Sequence, residues 1–288
     1  MWQELAKTKV LVVGLGQVGR VLFDLLKESG HFAVYGIDTD SAKMSEVEQS
    51  REDLPSNVDT MHICLPCSEQ KRFISIVADY AKKFSPELLI TNSTVPPGTT
   101  AEVSKNCNCL VAHSPVRGEH KSLKHMKWEL KRWTKYIGGV DAKSAEAASK
   151  HFQELGLKTK VLKSSLESEL AKLFETTYRA WMIACFQEMH RISRHFDACF
   201  DDIVDFIEDT HRLRFDRPVM FPGVIGGHCI IPNTELLLRS YDSELLRLIL
   251  KSNEKRKEEI KDESTLNEVE KIKGRVEALE KELIGRAH

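Results

Sequence analysis

The sequence lacks a surplus of charge of either sign, and it lacks a long apolar run. Its 288 residues include 42 Lys and Arg against 43 Asp and Glu, a formal net charge of -1. Proteins that bind nucleic acid or anionic membranes carry a basic surplus or patch, so the composition argues against both partners. No apolar stretch is long enough to span a bilayer, and the first residues lack the zones of a signal peptide. We therefore expect a cytoplasmic protein.

Cysteine is also scarce. The chain has 7 cysteines, an odd number that suits a reduced intracellular protein better than a disulfide framework. The rest of the composition, 41% hydrophobic and 30% charged, is that of a folded protein with a sizeable core. The length exceeds that of one typical domain and suits two.

Strand-like and helix-like segments alternate over roughly the first 160 residues. The predicted strands are 9–13, 32–37, 58–65, 88–91, 110–112, 136–140 and 159–162. Continuous apolar runs separated by helical patterns are typical of a parallel sheet that is covered on both faces. The pattern therefore predicts an α/β fold of the Rossmann type, with a doubly wound parallel sheet, in a domain of residues 1–162.

A different pattern begins at Ser164, where apolar residues follow one another three or four positions apart. They are Leu166, Leu170, Leu173, Phe174, Tyr178, Trp181, Cys185, Met189 and Ile192. This spacing predicts one helix of about 30 residues. So wide an apolar stripe is typical of the centre of a domain or of a dimer. We expect a helical domain at 163–242 and a homodimer formed through this helix.

The last segment, 243–288, is a highly charged tail. Its apolar residues fit the seam of a coiled coil for fewer than three heptads. They are Leu266, Val269, Ile272, Val276, Leu279 and Leu283. Two interpretations stay open, a helix that lies on the body of the protein and a helix for self-association.

A glycine-rich segment, Gly14-Leu15-Gly16-Gln17-Val18-Gly19, follows a predicted strand and opens a predicted helix. The first glycine permits a tight turn, the second lets the backbone approach a pyrophosphate, and the third lets the helix pack on the strand. The helix N-terminus then offers N–H groups to the phosphates. The next strand ends at Asp38, whose carboxylate would accept hydrogen bonds from ribose hydroxyls and repel a 2′-phosphate. The pattern predicts a dinucleotide site that favours NAD over NADP, although glycines also serve ordinary turns.

Three further segments suggest chemistry. Residues 92–100 (NSTVPPGTT) follow a strand, at the sheet edge where ligands bind in such folds. Lys172 places an amine on the long apolar helix, within Glu169-Leu170-Ala171-Lys172. Residues 223–229 (GVIGGHC) form a glycine-rich loop that presents the thiol of Cys229.

With these four motifs in this order, the sequence resembles the UDP-glucose/GDP-mannose dehydrogenase family. The resemblance covers about residues 8–240, through GLGQVG, STVPPGTT, ESELAKLFETTYRA and FPGVIGGHCIIPN. It implies an enzyme that oxidises a sugar-nucleotide alcohol to the acid, with two NAD per turnover and a covalent cysteine intermediate.

The resemblance also implies roles for individual residues. Cys229 matches the family's nucleophile, whose thiolate attacks the aldehyde to give a thiohemiacetal that loses a second hydride and becomes a thioester. Lys172 matches the helix lysine that stabilises oxyanions or exchanges protons, and Thr94 matches a threonine that helps to hold a catalytic water. The implied cofactor-binding residues are Gly14, Gly16, Gln17, Val18, Gly19, Asp38, Pro66 and Thr94. A buried apolar cysteine and a lysine that reaches into solvent are the plain alternatives.

The chain departs from the family pattern at three positions. The family has Glu where this chain has Val116, Asn where it has Thr176, and Asp where it has Asn233. A carboxylate that can activate water is therefore missing twice, and the hydrolysis of a thioester needs an activated water. We also expect the family's C-terminal nucleotide-binding domain to be absent, since only the charged tail remains.

Two other functions stay open. A 3-hydroxyacid-type dehydrogenase or imine reductase has a similar length and also pairs a dinucleotide domain with a helical domain that carries a lysine. A non-catalytic NAD-binding protein derived from the dehydrogenase scaffold would fit the three departures.

Four cysteines, Cys64, Cys67, Cys107 and Cys109, resemble a zinc pattern. In a parallel sheet the first pair ends one strand and the second pair begins another. A strand of five residues separates such positions by roughly 17 Å, so we predict no metal site.

Two polar groups stay undecided from the sequence. Arg117, Glu119 and His120 follow a strand and could contact a substrate or form a solvated loop. His228 could favour the thiolate of the adjacent Cys229 or point away from it.

Overall fold

The computed structural model describes residues 7–118, 122–227 and 229–286, and the chain divides into two compact units, Met1–Lys172 and Leu173–His288. Glu119, His120 and His228 lie outside the described residues. The division after residue 172 falls ten residues beyond the predicted domain boundary at 162. The predicted domains 1–162, 163–242 and 243–288 stay predictions.

The first unit contains a seven-stranded sheet in the order β2-β1-β3-β4-β5-β6-β7. Its strands are β1 (Thr8–Val13), β2 (Phe32–Ile37), β3 (Thr60–Ile63), β4 (Leu88–Thr91), β5 (Leu110–His113), β6 (Lys135–Gly139) and β7 (Thr159–Val161). Its helices are α1 (Gln17–Ser29), α2 (Ser41–Glu46), α3 (Gln70–Phe84), α4 (Thr99–Ser104), α5 (Leu123–Arg132) and α6 (Ala142–Glu154). Strands β1 to β5 run parallel to one another. The predicted Rossmann-type α/β fold is confirmed.

Apolar strands between amphipathic helices explain this sheet. Residues 10–13 of β1 are fully buried, as expected for a central strand that is covered on both faces. Helix α1 buries Leu22 and Leu26 on one face and ends at Gly30, whose φ of 71° is the left-handed conformation that favours glycine. Because β1 to β5 are parallel, the segments that follow them meet at one edge of the sheet, the carboxyl edge.

One part of the prediction is wrong, because the sheet is not parallel throughout. Strand β6 pairs antiparallel with β5, with Gly139 opposite Ala112, and β7 runs parallel to β6. The connection from β5 to β6 contains α5, which packs against α1. This connection leaves and returns at the carboxyl edge, so it makes no crossover. Apolar runs carry no record of strand direction, which is why the pattern does not distinguish the two pairings.

The sequence pattern does not predict three short helices, α2, α4 and α5. Helices α2 and α4 have only six residues each, too few for an apolar period to show. Caps mark two of them: the Asp40 side chain accepts from the N–H of Ala42, and the Ser122 side chain accepts from the N–H of His125. Because α4 begins at Thr99, the motif 92–100 runs from the end of β4 into the first turn of α4.

The second unit is helical. Helix α7 (Ser165–His195) begins in the first unit and is followed by α8 (Phe200–Arg214), α9 (Ile230–Ser240), α10 (Glu244–Glu259) and α11 (Glu263–Arg286). The predicted long helix is confirmed, with 31 residues. Within the described part of the chain, we find no helix with both the length and the apolar character that a membrane crossing requires.

The charged tail lies on the second unit. Ile272 and Leu279 of α11 are buried and pack with Phe186 of α7 and Phe200 of α8. The apolar seam is therefore used within the unit, which favours the first of the two interpretations of the tail. The side chain of Leu283 is outside the described residues.

Two histidines face each other in the core of the first unit. His62 Nε2 lies 2.9 Å from His151 Nε2, and Asn92 Nδ2 lies 3.1 Å from His62 Nδ1. Because an amide nitrogen donates, His62 accepts at Nδ1 and donates from Nε2 to His151. Burial, and next the positive charge of the neighbouring groups, holds the pKa of His62 well below its usual value. Burial lowers the pKa of His151 to about 4, so both rings are neutral.

These rings predict a loss of stability in acid. The unfolded chain takes up protons on both rings below pH about 6.5, whereas the folded chain does not until lower pH, so the free energy of unfolding falls as the pH falls from about 6.5 to about 4. Each ring contributes at most about 1.4 kcal/mol per pH unit. Urea unfolding across this range should show a weaker dependence in His151→Phe, whose ring can pack against Phe32. Exposed His31→Phe is the control, and equal slopes in wild type and His151→Phe would contradict the assignment.

Candidate active site

The three glycines of the 14–19 loop differ in the space that surrounds them. Gly14 has a φ of 90°, and a Cβ there would lie 2.7 Å from the carbonyl oxygen of Cys64. A Cβ on Gly19 would lie 1.7 Å from the carbonyl oxygen of Gly14. A Cβ on Gly16 would meet nothing within 4 Å. The fold therefore requires the first and third glycines, while the second leaves open space beside the N-terminus of α1.

Gly16 is also the N-cap residue of α1, and it provides no side-chain hydrogen bond to the helix. Gln17, Val18 and Gly19 form the first turn, in which no acidic side chain is present. The positive end of the helix thus faces the open space at Gly16, an arrangement that suits an anionic group.

Asp38 follows β2 and bonds back to the glycine loop. Its Oδ2 accepts from the N–H of Leu15 at 2.7 Å, and its Oδ1 accepts from the N–H of Asp40 at 3.0 Å. Burial alone would raise the pKa of this carboxyl, but these hydrogen bonds and the ammonium of Lys43, 3.7 Å away, lower it overall. Asp38 is therefore a carboxylate with acceptor capacity beside the loop, as a ribose-binding residue must be.

Two more predicted cofactor-binding residues lie at the carboxyl edge. Pro66 follows β3 and is exposed, and Thr94 follows β4 and is half-buried. Since β1, β3 and β4 are adjacent parallel strands, both residues lie at the same sheet edge as the glycine loop.

A buried carboxylate joins the 92–100 motif to helix α7. Glu169 is fully buried and accepts from the backbone N–H groups of Gly98 at 2.6 Å and Thr100 at 2.7 Å. Burial raises the pKa of this carboxyl, although the two hydrogen bonds oppose the shift. Lys172 is half-buried and lies about one turn further along α7. The Glu169 carboxylate thus fixes the turn of α7 that carries Lys172 against the motif that carries Thr94.

His113 makes a second link at the same edge. Its Nε2 lies 3.0 Å from the carbonyl oxygen of Ser93, and its Nδ1 lies 2.7 Å from Ser168 Oγ. A carbonyl only accepts, so the ring carries its proton on Nε2. Burial lowers the pKa of His113 to about 3. Neither His113 nor the role of Glu169 could be predicted from the sequence, because their partners are 20 to 71 residues away along the chain.

The segment 114–118 follows β5 and carries Val116, which is buried. The ammonium of Lys135 donates to the carbonyl oxygens of Ser114 at 2.6 Å and Pro115 at 3.0 Å. Complete burial lowers the pKa of Lys135 to about 7. An aliphatic side chain therefore stands where the family carries a carboxylate, and the buried amine of Lys135 donates to the two backbone carbonyls that precede it.

Arg117 is held within the first unit. Its guanidinium lies between the rings of Trp133 and Tyr136, 5.1 Å and 5.0 Å from their centroids, and it donates to the carbonyl oxygen of Thr134 at 2.9 Å. These contacts support a structural role for Arg117, for which the sequence left open a contact with substrate or a place in a solvated loop.

Cys229 lies in the second unit as the N-cap residue of α9 and is half-buried. The loop before it includes Gly227, whose φ of 83° is in the left-handed region. Two of the three departures from the family pattern meet in the same unit. Asn233 Nδ2 donates to Thr176 Oγ1 at 3.1 Å, and Thr176 Oγ1 donates to the carbonyl oxygen of Leu173 at 3.0 Å. The two replacements thus form one buried, uncharged hydrogen-bonded pair.

The predicted site residues therefore fall into two groups. Gly14, Asp38, Thr94 and Lys172 belong to the first unit, together with Gly16, Gln17, Val18, Gly19 and Pro66. Cys229 belongs to the second unit. That Lys172 and Cys229 flank a common crevice stays a prediction.

The cysteine pairs lie at opposite sheet edges, as the sequence predicts. Cys64 directly follows β3 at the carboxyl edge, and Cys109 directly precedes β5 at the other. Burial raises the pKa of Cys64 to about 12 and that of Cys67 to about 11, so both are thiols. Among the described residues, no group of three or more His, Cys, Asp or Glu side chains is placed to hold a metal ion.

Comparison with known proteins gives related results for sequence and for structure. Residues 166–255 match the central domain of the UDP-glucose/GDP-mannose dehydrogenase family. A UDP-N-acetyl-D-mannosamine dehydrogenase of Methanocaldococcus jannaschii is 28% identical over 304 residues, which cover 92% of this chain and 68% of that relative.

Two solved structures are similar in fold. The UDP-D-ManNAc dehydrogenase of Pyrococcus horikoshii has a TM-score of 0.70 at 22% identity and covers 86% of this chain and 69% of that one. A 3-hydroxyisobutyrate dehydrogenase of Mycobacterium tuberculosis has a TM-score of 0.65 at 16% identity and covers 89% of this chain and 94% of that one. At these identities the likeness supports the fold alone.

The glycine loop and the sheet have the features of a dinucleotide-binding fold, and the relatives to which the chain is similar are dehydrogenases. The match to the family model covers residues 166–255, the part of the chain that contains two of the four motifs. The resemblance predicted from the four motifs is confirmed.

Proposed function

We propose that this chain is an NAD-dependent oxidoreductase that interconverts an alcohol and a carbonyl group on a sugar nucleotide. The observation that carries the proposal is the 14–19 loop, with open space at Gly16 and a carboxylate, Asp38, bonded to the backbone of Leu15. The names of the similar dehydrogenases support a sugar nucleotide as the substrate class.

The cofactor site is assigned by its chemistry. Backbone N–H groups at the start of α1 would bind the pyrophosphate, and Asp38 would accept hydrogen bonds from the ribose hydroxyls. A charged carboxylate repels a 2′-phosphate, so NAD is preferred over NADP. Isothermal titration calorimetry with NAD and NADH tests the proposal, and the absence of binding for both would remove it.

The reaction would use three side chains of this chain. When bound, the nicotinamide supplies the hydride acceptor. Lys172 would take the proton from the substrate hydroxyl, or return it in the reverse direction, and Thr94 would hold a water beside it. Cys229 would lie near the substrate carbon, where its thiolate can add to the carbonyl.

We infer that oxidation stops after two electrons. Val116 is buried and aliphatic, and Asn233 bonds to Thr176, so neither position provides a carboxylate to activate water. With an active substrate, we expect one NADH per substrate consumed, and aldehyde rather than acid as the product. Absorbance at the NADH band with product analysis measures the ratio, and a ratio of two would refute this inference.

A second candidate is a 3-hydroxyacid-type dehydrogenase. The observation that favours it is Lys172 on helix α7, since such enzymes also pair a dinucleotide domain with a helical domain that carries a lysine. Such an enzyme needs Lys172 and no thiol, so full activity in Cys229→Ser would support it. NAD binding without turnover across sugar-nucleotide, hydroxyacid and amino-acid panels would instead indicate a non-catalytic NAD-binding protein.

We also propose a homodimer formed through α7 and a location in the cytoplasm. Phe174 and Tyr178 are about half exposed and lie one turn apart on α7, and Ile192 is similarly exposed further along the helix. Sedimentation velocity of the wild type and of Phe174→Ser tests the dimer.

A further inference from the structure

The loop that leads to Cys229 is held by side-chain amides from two helices. Residues 223–227 are neither helix nor strand. Gln187 of α7 donates from Nε2 to the carbonyl oxygen of Gly223 at 2.7 Å. Asn253 of α10 accepts at Oδ1 from the N–H of Ile225 at 2.7 Å and donates from Nδ2 to the carbonyl oxygen of Ile225 at 3.3 Å. Asn253 thus satisfies both polar groups of one loop residue.

Both amide side chains are buried, and Gln187 has further partners. Gln187 and Asn253 are 0% and 1% exposed. The hydroxyl of Ser252 donates to Gln187 Oε1 at 2.6 Å, and Arg191 donates to Ser252 Oγ at 2.9 Å. The backbone carbonyl of Gln187 accepts from Arg256, which is fully buried, at 2.8 Å. A buried side chain with satisfied partners is held in place, so Gln187 restrains the loop at Gly223.

The bonds of Gln187 to Gly223 and of Asn253 to Ile225, which we call the clamp, act on the part of the loop that precedes Gly226 and Gly227. A Cβ on Gly226 or on Gly227 would meet nothing within 4 Å, so side-chain packing does not restrain these residues. Asn253 of α10 thus holds the loop at Ile225, directly before these two glycines. The Cys229 thiol follows four residues later, so a shift of the backbone at Ile225 would change the position of the thiol.

We propose that Asn253 and Gln187 are positioning residues that determine where the Cys229 thiol lies. Helix α10, which belongs to the charged tail, thereby contributes to the candidate active site. The clamp is a property of the fold, whereas its catalytic meaning rests on the proposed function. Loss of the clamp would free Ile225 and let the loop open, which exposes the thiol and misplaces it for reaction.

The test compares Asn253→Ser, which removes both bonds to Ile225, with Asn267→Ser at an exposed position of α11. Deuterium exchange of the 223–227 backbone should accelerate about tenfold in Asn253→Ser, as expected for the loss of buried hydrogen bonds. Alkylation of Cys229 by iodoacetamide, followed by mass spectrometry, should accelerate about threefold or more, with exposed Cys199 as the internal reference.

Two further variants keep the proposal falsifiable if Asn253→Ser folds poorly. Gln187→Met keeps the shape of the side chain and removes its bonds to Gly223 and to Ser252, so it should raise the same two rates. Asn253→Asp keeps an acceptor for the N–H of Ile225, so it should restore part of the protection. If exchange and Cys229 alkylation in the folded variants match those of Asn267→Ser, the proposal is overturned. Failure of the wild type to bind NAD would sink the proposed function instead and leave the exchange result standing.

Discussion

Replacing Lys172 with methionine should lower kcat by about 10²–10⁴-fold, the usual contribution of a positioned acid–base group. Methionine keeps the apolar stem and removes the amine, so packing along α7 is preserved. The carboxylate one turn earlier, Glu169, stays bonded to the N–H groups of Gly98 and Thr100 and keeps the helix in place. The affinity for NAD should not change, because the glycine loop is unaltered.

Steady-state rates on the active sugar nucleotide and calorimetry with NAD separate these two quantities. Lys163→Met, at an exposed position before α7, is the matched control and should retain wild-type kcat. A Lys172→Met enzyme whose kcat is within threefold of the wild type would mean that another group handles the proton.

Two substitutions in the glycine loop should affect different quantities, one the affinity for NAD and the other the stability of the fold. Gly16→Ala places a methyl group in open space, so the thermal midpoint should stay unchanged while the affinity for NAD falls at least about tenfold, since the pyrophosphate needs that space. Gly19→Ala places a Cβ 1.7 Å from the carbonyl oxygen of Gly14. Backbone must move to relieve this contact, so we expect a loss of about 1–3 kcal/mol or more of stability.

Calorimetry and thermal unfolding of both variants measure these effects. Ala42→Gly in the nearby helix α2 is a control that alters no group assigned to the cofactor. If Gly16→Ala binds NAD as tightly as the wild type, the pyrophosphate does not approach at this residue, and the cofactor assignment of the loop fails.

The parts of the structure that depend on local pattern could be predicted from the sequence. A short stretch of sequence is enough to predict strands β1 and β2 and the long helix α7, because each has an apolar pattern typical of its structure. The turn at Gly14 is predicted because it requires a glycine. The position of Asp38 follows from the same logic, because the strand that ends there is next to the glycine loop in any fold of this type.

The parts that depend on long-range contacts could not be predicted. Strand β6 is antiparallel because the connection that contains α5 leads back to the carboxyl edge of the sheet. The apolar residues of a strand do not indicate its direction. The roles of Glu169 and Asn253 come from bonds to backbone groups 71 and 28 residues away. Both residue types are ordinary on helices, so nothing in the local sequence marks them as part of a site.

The bond between Thr176 and Asn233 has a consequence for how this sequence could have changed over time. The hydroxyl proton of Thr176 is directed to the carbonyl of Leu173, so its oxygen faces position 233 with a lone pair. An aspartate at 233 offers only acceptors, so the Thr176 hydroxyl would have to turn away from the carbonyl of Leu173 in order to donate to it. A change between the uncharged and the acidic version of this neighbourhood therefore alters the hydrogen bonds of both residues, and the effect of replacing one depends on which residue stands at the other position.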